Sequence, residues 1–502
     1  MKGFLDTPRS RIMTLSLIVM LGFAVVVELL AFFAWFTNPS AALRTHTNPT
    51  SLLLAAGQVE LAFFKAGYGL AVWLILLLMV SPILLEGSLP WTRRRVSVTS
   101  QLAGKPIQLR ATTVGVALVA VSVLAGLMAY LPYSFSDFPV GIDAHWYYER
   151  LAALGEGVSV PNLLLEDPRA AYLLLLYGIR LATQLPIRET AMAGAITISV
   201  LSALGSFFLV KEIGQGDPAS LLAALFASFS PQMLVGTLAS IFSNWLAMAE
   251  ILFFFVFLLR AAKSSGKSWL AASFAVSLVI MVTHPWTWPM LMLVLSIYVV
   301  LSVLHDRSWD SLRRSAGLRV LAGSAFVGLL VFSVAGGSAV SQGVVNLAYH
   351  FGLVENLRLQ RPPDLFLRDV RIALFNYSTQ GLFSNWLMIG LAVVGVFGLG
   401  KMGKETRALF ESWILGPSLL ILFLGPEIQW RLLFLIPYHI LAVLGVTTLM
   451  GVLRRLISAP DQSRAHSLIV KAVQVGFVTF LVLLFLNNAL RSMVLIASQV
   501  SI

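Results

Sequence analysis

The stretch Phe135 to Arg150, FSDFPVGIDAHWYYER, gathers residue types able to do chemistry. Asp143 stands at its centre, with Pro139 and Gly141 before it and His145, Trp146, Tyr147 and Tyr148 after it. A carboxylate among aromatic rings beside an apolar run binds its proton more tightly, because desolvation disfavours the anion, and this suits it to general-base work. The neighbours suit a carbohydrate. Aromatic faces pack on the apolar C–H side of a pyranose ring, while His145 and the hydroxyls of Tyr147 and Tyr148 can bond its oxygens. The same composition also fits an aromatic belt at a membrane surface next to a solvated carboxylate.

A second constellation lies late in the chain, in GPEIQWRLLFLIPYHILAVLG from Gly425 to Gly445. Pro426 suits a first helical position, Glu427 falls in the first turn, and Arg431 is four residues on, on the same face. Arg431 there can grip a lipid phosphate in a bidentate pair; alternatively Glu427 and Arg431 neutralise each other. Pro437 should kink this span. Between these stretches, Asn244 in SIFSNWLAMAE can bond a sugar or phosphate oxygen or else cap the next helix. Glu250, deeper in that span, needs a partner or a task, and Arg180 is the partner expected. His284 sits in the turn THPWTWP, whose Trp pair is expected to face the side where substrate enters; no HxxxH spacing accompanies it. The loop 337 to 380 is basic, with Arg358, Arg361, Arg368 and Arg371, and is long enough to form a lid over an acceptor or diphosphate. An amphipathic helix on anionic lipid is its other reading. Asn376-Tyr377-Ser378 matches a short glycosylation pattern.

The elements that must position these residues are apolar. The 502 residues have a mean hydropathy of +0.86 and are 58% hydrophobic and 12% charged, about half the charge of a soluble chain. Spans of about 20 residues fall near 12–36, 59–85, 111–131, 190–210, 219–238, 243–259, 268–283, 286–304, 318–336, 381–400, 409–425, 432–452 and 468–490. The expectation is an all-α polytopic membrane protein of about 13 transmembrane helices. Its net charge of +12 sits in short loops, which marks the cytoplasmic side rather than a nucleic-acid surface: with the N-terminus inside, about two thirds of Lys and Arg fall on that side. The segment 132–189 then lies outside, and within it Ala170 to Leu185 reads as a helix lying at the interface or as a short buried helix. There is no cysteine, so no disulfide or thiolate site. The leading basic residues precede too long an apolar run for a signal peptide and read as an anchor.

GIDAHWYYER, followed by Pro161 to Pro186 as an interfacial stretch, resembles the first external loop of the GT-C superfamily of polyprenyl-phosphate-dependent glycosyltransferases. That superfamily includes protein O-mannosyltransferases, aminoarabinose transferases and the oligosaccharyltransferase catalytic subunit. The resemblance is one of layout, over about residues 111 to 450. It implies a GT-C-like fold with interfacial helices in the first large external loop: residues 1–110 hold two added helices and a cytoplasmic linker, 111–450 the catalytic module, and 451–502 a terminal helix. It also implies a polyprenyl-phosphate (dolichyl-phosphate-type) sugar donor, a protein, lipid or glycan acceptor, inversion with Asp143 as base, and Arg431 near the donor phosphate. The site would be extracytoplasmic on an integral membrane protein, expected in the plasma membrane among membrane lipids. Where the oligosaccharyltransferase subunit carries a further acidic metal motif, this chain has Ser243, Asn244 and Trp245. No cofactor is therefore expected and a divalent metal is disfavoured, although Asp143 with Asp137 or Glu149 could still supply one. Two rivals share the hydropathy: a transporter or flippase for lipid-linked glycans, and a polymerase or ligase that leans on the arginines of 337–380.

Overall fold

The computed structural model describes residues 107–134, 140, 144–155, 169–264, 266–306, 315–334, 385–421, 432, 434–457 and 464–500, with positions 21, 22, 25, 26, 29, 79, 80 and 83. Among these, the regular structure is helical throughout. In chain order come α1 (Ala111–Ser134), α2 (Ala144–Gly155), α3 (Ala170–Thr183), α4 (Ile187–Glu212), α5 (Asp217–Ala227), α6 (Pro231–Ala239) and α7 (Phe242–Ser264). Then follow α8 (Lys267–Thr283), α9 (Thr287–Asp306), α10 (Ala316–Val334), α11 (Trp386–Gly398), α12 (Lys404–Ile421), α13 (Tyr438–Ile457) and α14 (Arg464–Val500).

Among the described residues, six stretches are long and apolar enough to cross a membrane: Ala111–Ser134, Ile187–Glu212, Asp217–Thr237, Phe242–Ser264, Thr287–His305 and Leu468–Leu490. Helices serve here because each backbone N–H and C=O is satisfied within its own segment, as hydrocarbon requires. The outward faces are apolar too. Val116, Val119, Phe326 and Leu329 are each more than half exposed, a pattern that water would penalise and lipid would not. The chain is thus an integral membrane protein, with a core running from Tyr133 and Tyr147 through Trp245 and Phe255 to Trp413 and Phe485. Met79 and Ile83 belong to that core.

The observed helices follow most of the expected spans, with three differences that have local causes. The span read as 219–238 is broken at residues 228–230, where Ser230 caps α6 by accepting from Met233 N at 3.2 Å and Pro231 opens the new helix. The span read from 409 begins at Lys404, since the polar turn Lys404-Glu405-Thr406-Arg407 is itself helical. The span read as 432–452 starts as α13 only at Tyr438, after a turn at Leu435 and Ile436. Pro437 thus does not kink a continuous span; it stands at a break. The freed carbonyls are satisfied by distant side chains: Gln232 Nε2 donates to Phe434 O at 3.1 Å and Ile436 O at 2.5 Å, and Trp413 Nε1 donates to Leu435 O at 2.8 Å.

Two helices meet backbone to backbone. A Cβ at Gly395 on α11 would fall on the carbonyl oxygen of Leu441, and one at Gly445 on α13 on that of Leu391. Small residues at such a crossing let helix axes approach and increase dispersion contact.

The ends of the helices segregate. Glu212 at the end of α4 accepts from Arg260 at 2.8 Å and Lys263 at 2.9 Å on α7. Asp217 holds Lys211 at 3.1 Å and the backbone N–H of Leu109 at 2.8 Å, tying the start of α1 to the turn before α5. Glu411 likewise joins Arg407 at 2.6 Å to His305 at 3.4 Å. Each of these groups draws on loops that the charge count assigns to one side of the membrane.

Candidate functional site

At the opposite end of α7, three turns converge. Ser240 closes α6 in the left-handed region, φ 51°, and its hydroxyl donates to the carbonyl of Val140 at 2.6 Å. Three residues beyond Val140 lies Asp143, which is outside the described residues, and α2 starts at the next position, Ala144. On α2, the Tyr147 hydroxyl accepts from the backbone N–H of Ser243 at 3.3 Å and pairs with Ser243 Oγ at 3.2 Å. Both flanks of Asp143 are therefore fastened to the 240–243 turn, about 100 residues further along the chain.

Tyr147 is 1% exposed. Its ring meets Trp146 and Tyr172 edge-on, with centroids 4.9 Å and 5.0 Å away, and Phe242 at 5.5 Å. It acts as a strut inside the site rather than as an open surface for a sugar ring. Arg169, which the sequence reading passed over, lies with its guanidinium 4.5 Å from the Trp146 centroid and 5.6 Å from that of Tyr147, and donates to the Tyr147 hydroxyl at 3.4 Å. Its one sequence signal was a basic residue directly after Asp167-Pro168. His145 is exposed on α2, and Tyr148 is half-buried with no hydrogen-bond partner for its hydroxyl among the described residues. Burial pushes the Tyr148 phenol up to about 12, with Arg188 pulling it down and Glu189 up, so it is a neutral donor at ordinary pH.

The third turn supplies His284 and Thr287. Thr287 Oγ1 donates to Asn244 Oδ1 at 2.8 Å, and His284 Nδ1 pairs with Thr287 Oγ1 at 2.7 Å. The sequence offered Asn244 as a ligand or a cap; its carbonyl accepts from the next turn, one residue from the Ser243 that holds Tyr147. His284 is buried. Beside it, Thr283 donates to Glu250 Oε1 at 3.0 Å, while Glu250 Oε2 has no partner among the described residues. Arg180 is not the partner of Glu250, because its Nη1 donates to the carbonyl of Leu151 at 3.2 Å. Trp288 lies against the neighbouring helices: it donates to Ser277 on α8 at 3.3 Å and packs over Gly328 on α10.

The helix Ala170–Thr183 buries Ala170, Tyr172, Leu173 and Leu176 and leaves Leu181 exposed, so one face is packed while the other is open. Glu427, Arg431, Arg361 and Arg371 lie outside the described residues. The described residues nearest Arg431 are Leu432 and the broken backbone of 434–437. Among the described residues no three His, Asp or Glu side chains gather in a metal-holding group, and the carbonyl of Asn244 already has a donor.

No family of known proteins matches the sequence, and no curated protein is significantly similar to it. The fold is similar to that of the Archaeoglobus fulgidus oligosaccharyltransferase, solved tethered to an acceptor peptide containing the NVT sequon through a disulfide bond, with a TM-score of 0.46 and 11% identity. The match covers 78% of this chain and 55% of that one, so this chain spans little more than half the length of that enzyme.

Proposed function

We propose that the chain is a membrane glycosyltransferase that moves a sugar from a polyprenyl phosphate to an acceptor hydroxyl on the extracytoplasmic face. The observation that carries the reading is the double fastening around Asp143, by Ser240 to Val140 and by Ser243 to Tyr147. It joins the carboxylate-and-aromatic stretch suited to sugar chemistry to the start of α7, and a catalytic base gains from surroundings held in place. Asp143 takes the proton of the acceptor hydroxyl as its oxygen attacks the anomeric carbon from the face opposite the phosphate. The new C–O bond forms, the bond to phosphate breaks, and its electron pair leaves with the polyprenyl phosphate, inverting the anomeric centre. Arg431 compensates the charge growing on that phosphate. Arg361 and Arg371 belong to the acceptor side of the same reading, with protein, lipid or glycan as acceptor.

The test is release of free polyprenyl phosphate from a polyprenyl-phosphate hexose by the purified full-length protein. Asp143→Asn is expected to reduce release by at least about 100-fold, the usual worth of a general base, with the folded yield unchanged. Release at the wild-type rate in that variant would overturn the assignment.

One observation favours a second reading. Two interrupted helices, at 228–230 and 435–437, are tied together by Gln232, and discontinuous helices are a habit of transporters. A flippase would move the lipid-linked sugar across reconstituted vesicles without releasing polyprenyl phosphate.

A further inference from the structure

Asn244, Thr287 and His284 form a short hydrogen-bonded line whose direction can be worked out. Thr287 has one hydroxyl proton, and it goes to Asn244 Oδ1. The Thr287 oxygen can then only accept, so His284 Nδ1, 2.7 Å away, carries the proton of that contact. The order is His284 Nδ1–H to Thr287 Oγ1–H to Asn244 Oδ1, and each bond polarises the next. This order goes with the Asn244 carboxamide turned so that its oxygen faces Thr287, and the protonation of His284 tests it. Its carbonyl is occupied, which leaves the amide N–H2, two donors with no bond to any described residue. Asn244 is 3% exposed. Its surroundings are rich in donors: Asn244 lies in the first turn of α7, where the helix end is positive, and Arg169 reaches the same turn through Tyr147.

We propose that the Asn244 amide, turned by Thr287 and His284, is a binding group for an acceptor oxygen of the lipid-linked sugar donor, and that Thr287 and His284 are its positioning residues. The inference rests on the reading of the chain as a glycosyltransferase and names the ligand chemistry of that site. A divalent cation is the wrong ligand here, since it would have to take the carbonyl from Thr287 and would face amide protons. The matching oxygen belongs either to the phosphate or to a hydroxyl of the sugar.

The experiment measures binding of two probes, sugar-free polyprenyl phosphate and a polyprenyl-phosphate hexose, to the full-length protein in lipid nanodiscs. Thr287→Val keeps the shape and removes the hydroxyl; it should weaken Kd about tenfold, the worth of a hydrogen bond in a dry site. Thr287→Ser restores the affinity. Asn244→Asp keeps an acceptor for Thr287 but loses the N–H2, and it should weaken Kd at least as much. Equal losses for both probes place the contact on phosphate, and a loss confined to the hexose probe places it on the sugar; both support the proposal. In histidine-labelled protein, nitrogen NMR should show His284 protonated at Nδ1, with the signal assigned by its loss in His284→Gln. A proton on Nε2 alone reverses the line and overturns the proposal, as does wild-type affinity in both Thr287→Val and Asn244→Asp. Wild-type protein that binds neither probe overturns the functional reading, and this inference falls with it.

Discussion

At the scale of single residues, Tyr147 shows how a side chain suited to one task takes another. Its type and place beside Asp143 suggest a sugar contact, yet its ring is enclosed by Trp146, Tyr172 and Phe242 and its hydroxyl holds the start of α7. Tyr147→Phe leaves the N–H of Ser243 and the guanidinium of Arg169 without this acceptor. It should cost about 1–2 kcal/mol, read as a lowered Tm of the purified protein, with binding of lipid-linked sugar weakened less than by Asn244→Asp. Asp143, His145 and Asn244 were legible as residues able to do chemistry because their types and spacing suffice for that. The direction of the line through Thr287 was not, because it depends on a turn 43 residues from Asn244. Arg169 was missed for a similar reason: its meeting with Tyr147 is a product of how α2 and α3 pack.

Among the elements, breaks matter as much as helices. Apolar runs fixed where helices lie, but the interruptions at 228–230 and 435–437 arise where Ser230 can cap and where Gln232 and Trp413 can satisfy freed carbonyls. Without such donors a broken span would strand several backbone groups in an apolar interior. The pairing of α11 with α13 has a different basis, the absence of side chains at Gly395 and Gly445. Gly395→Ala and Gly445→Ala each place a methyl against a carbonyl oxygen and should destabilise by about 1–3 kcal/mol, the range of overpacking. Gly403→Ala, where a methyl meets nothing within 4 Å, should leave Tm unchanged. Thermal melting of the three variants in one detergent checks this; a drop in Gly403→Ala equal to the others would refute the close-crossing account.

At the scale of the whole molecule, two sets of polar contacts among the described residues lie at opposite ends of α7. Glu212 with Arg260 and Lys263, and Asp217 with Lys211, occupy one; the Ser240, Tyr147 and Thr287 contacts occupy the other. The charge count predicts that the first end is cytoplasmic. Because the chain has no cysteine, single substitutions report this directly. Glu149→Cys should react with a membrane-impermeant thiol reagent added outside intact cells, and Lys263→Cys only after the membrane is opened. Labelling in the reverse order would place the candidate site inside the cell and remove an extracytoplasmic donor from the reading.

The sequence by itself determined that this is a helical membrane protein, and it determined nearly where most of the described helices lie. Both follow from local facts: the length of each apolar run, and the need of every backbone group in lipid to bond within its own segment. The position of Asp143 in an aromatic stretch was equally local. Only the tertiary structure decided that residues near 140, 240 and 285 meet at one helix end, that Glu250 takes Thr283 and not Arg180, and that α13 begins after a break. Those outcomes depend on partners tens to hundreds of residues away, and hydropathy and spacing carry no record of which distant donor will reach which acceptor.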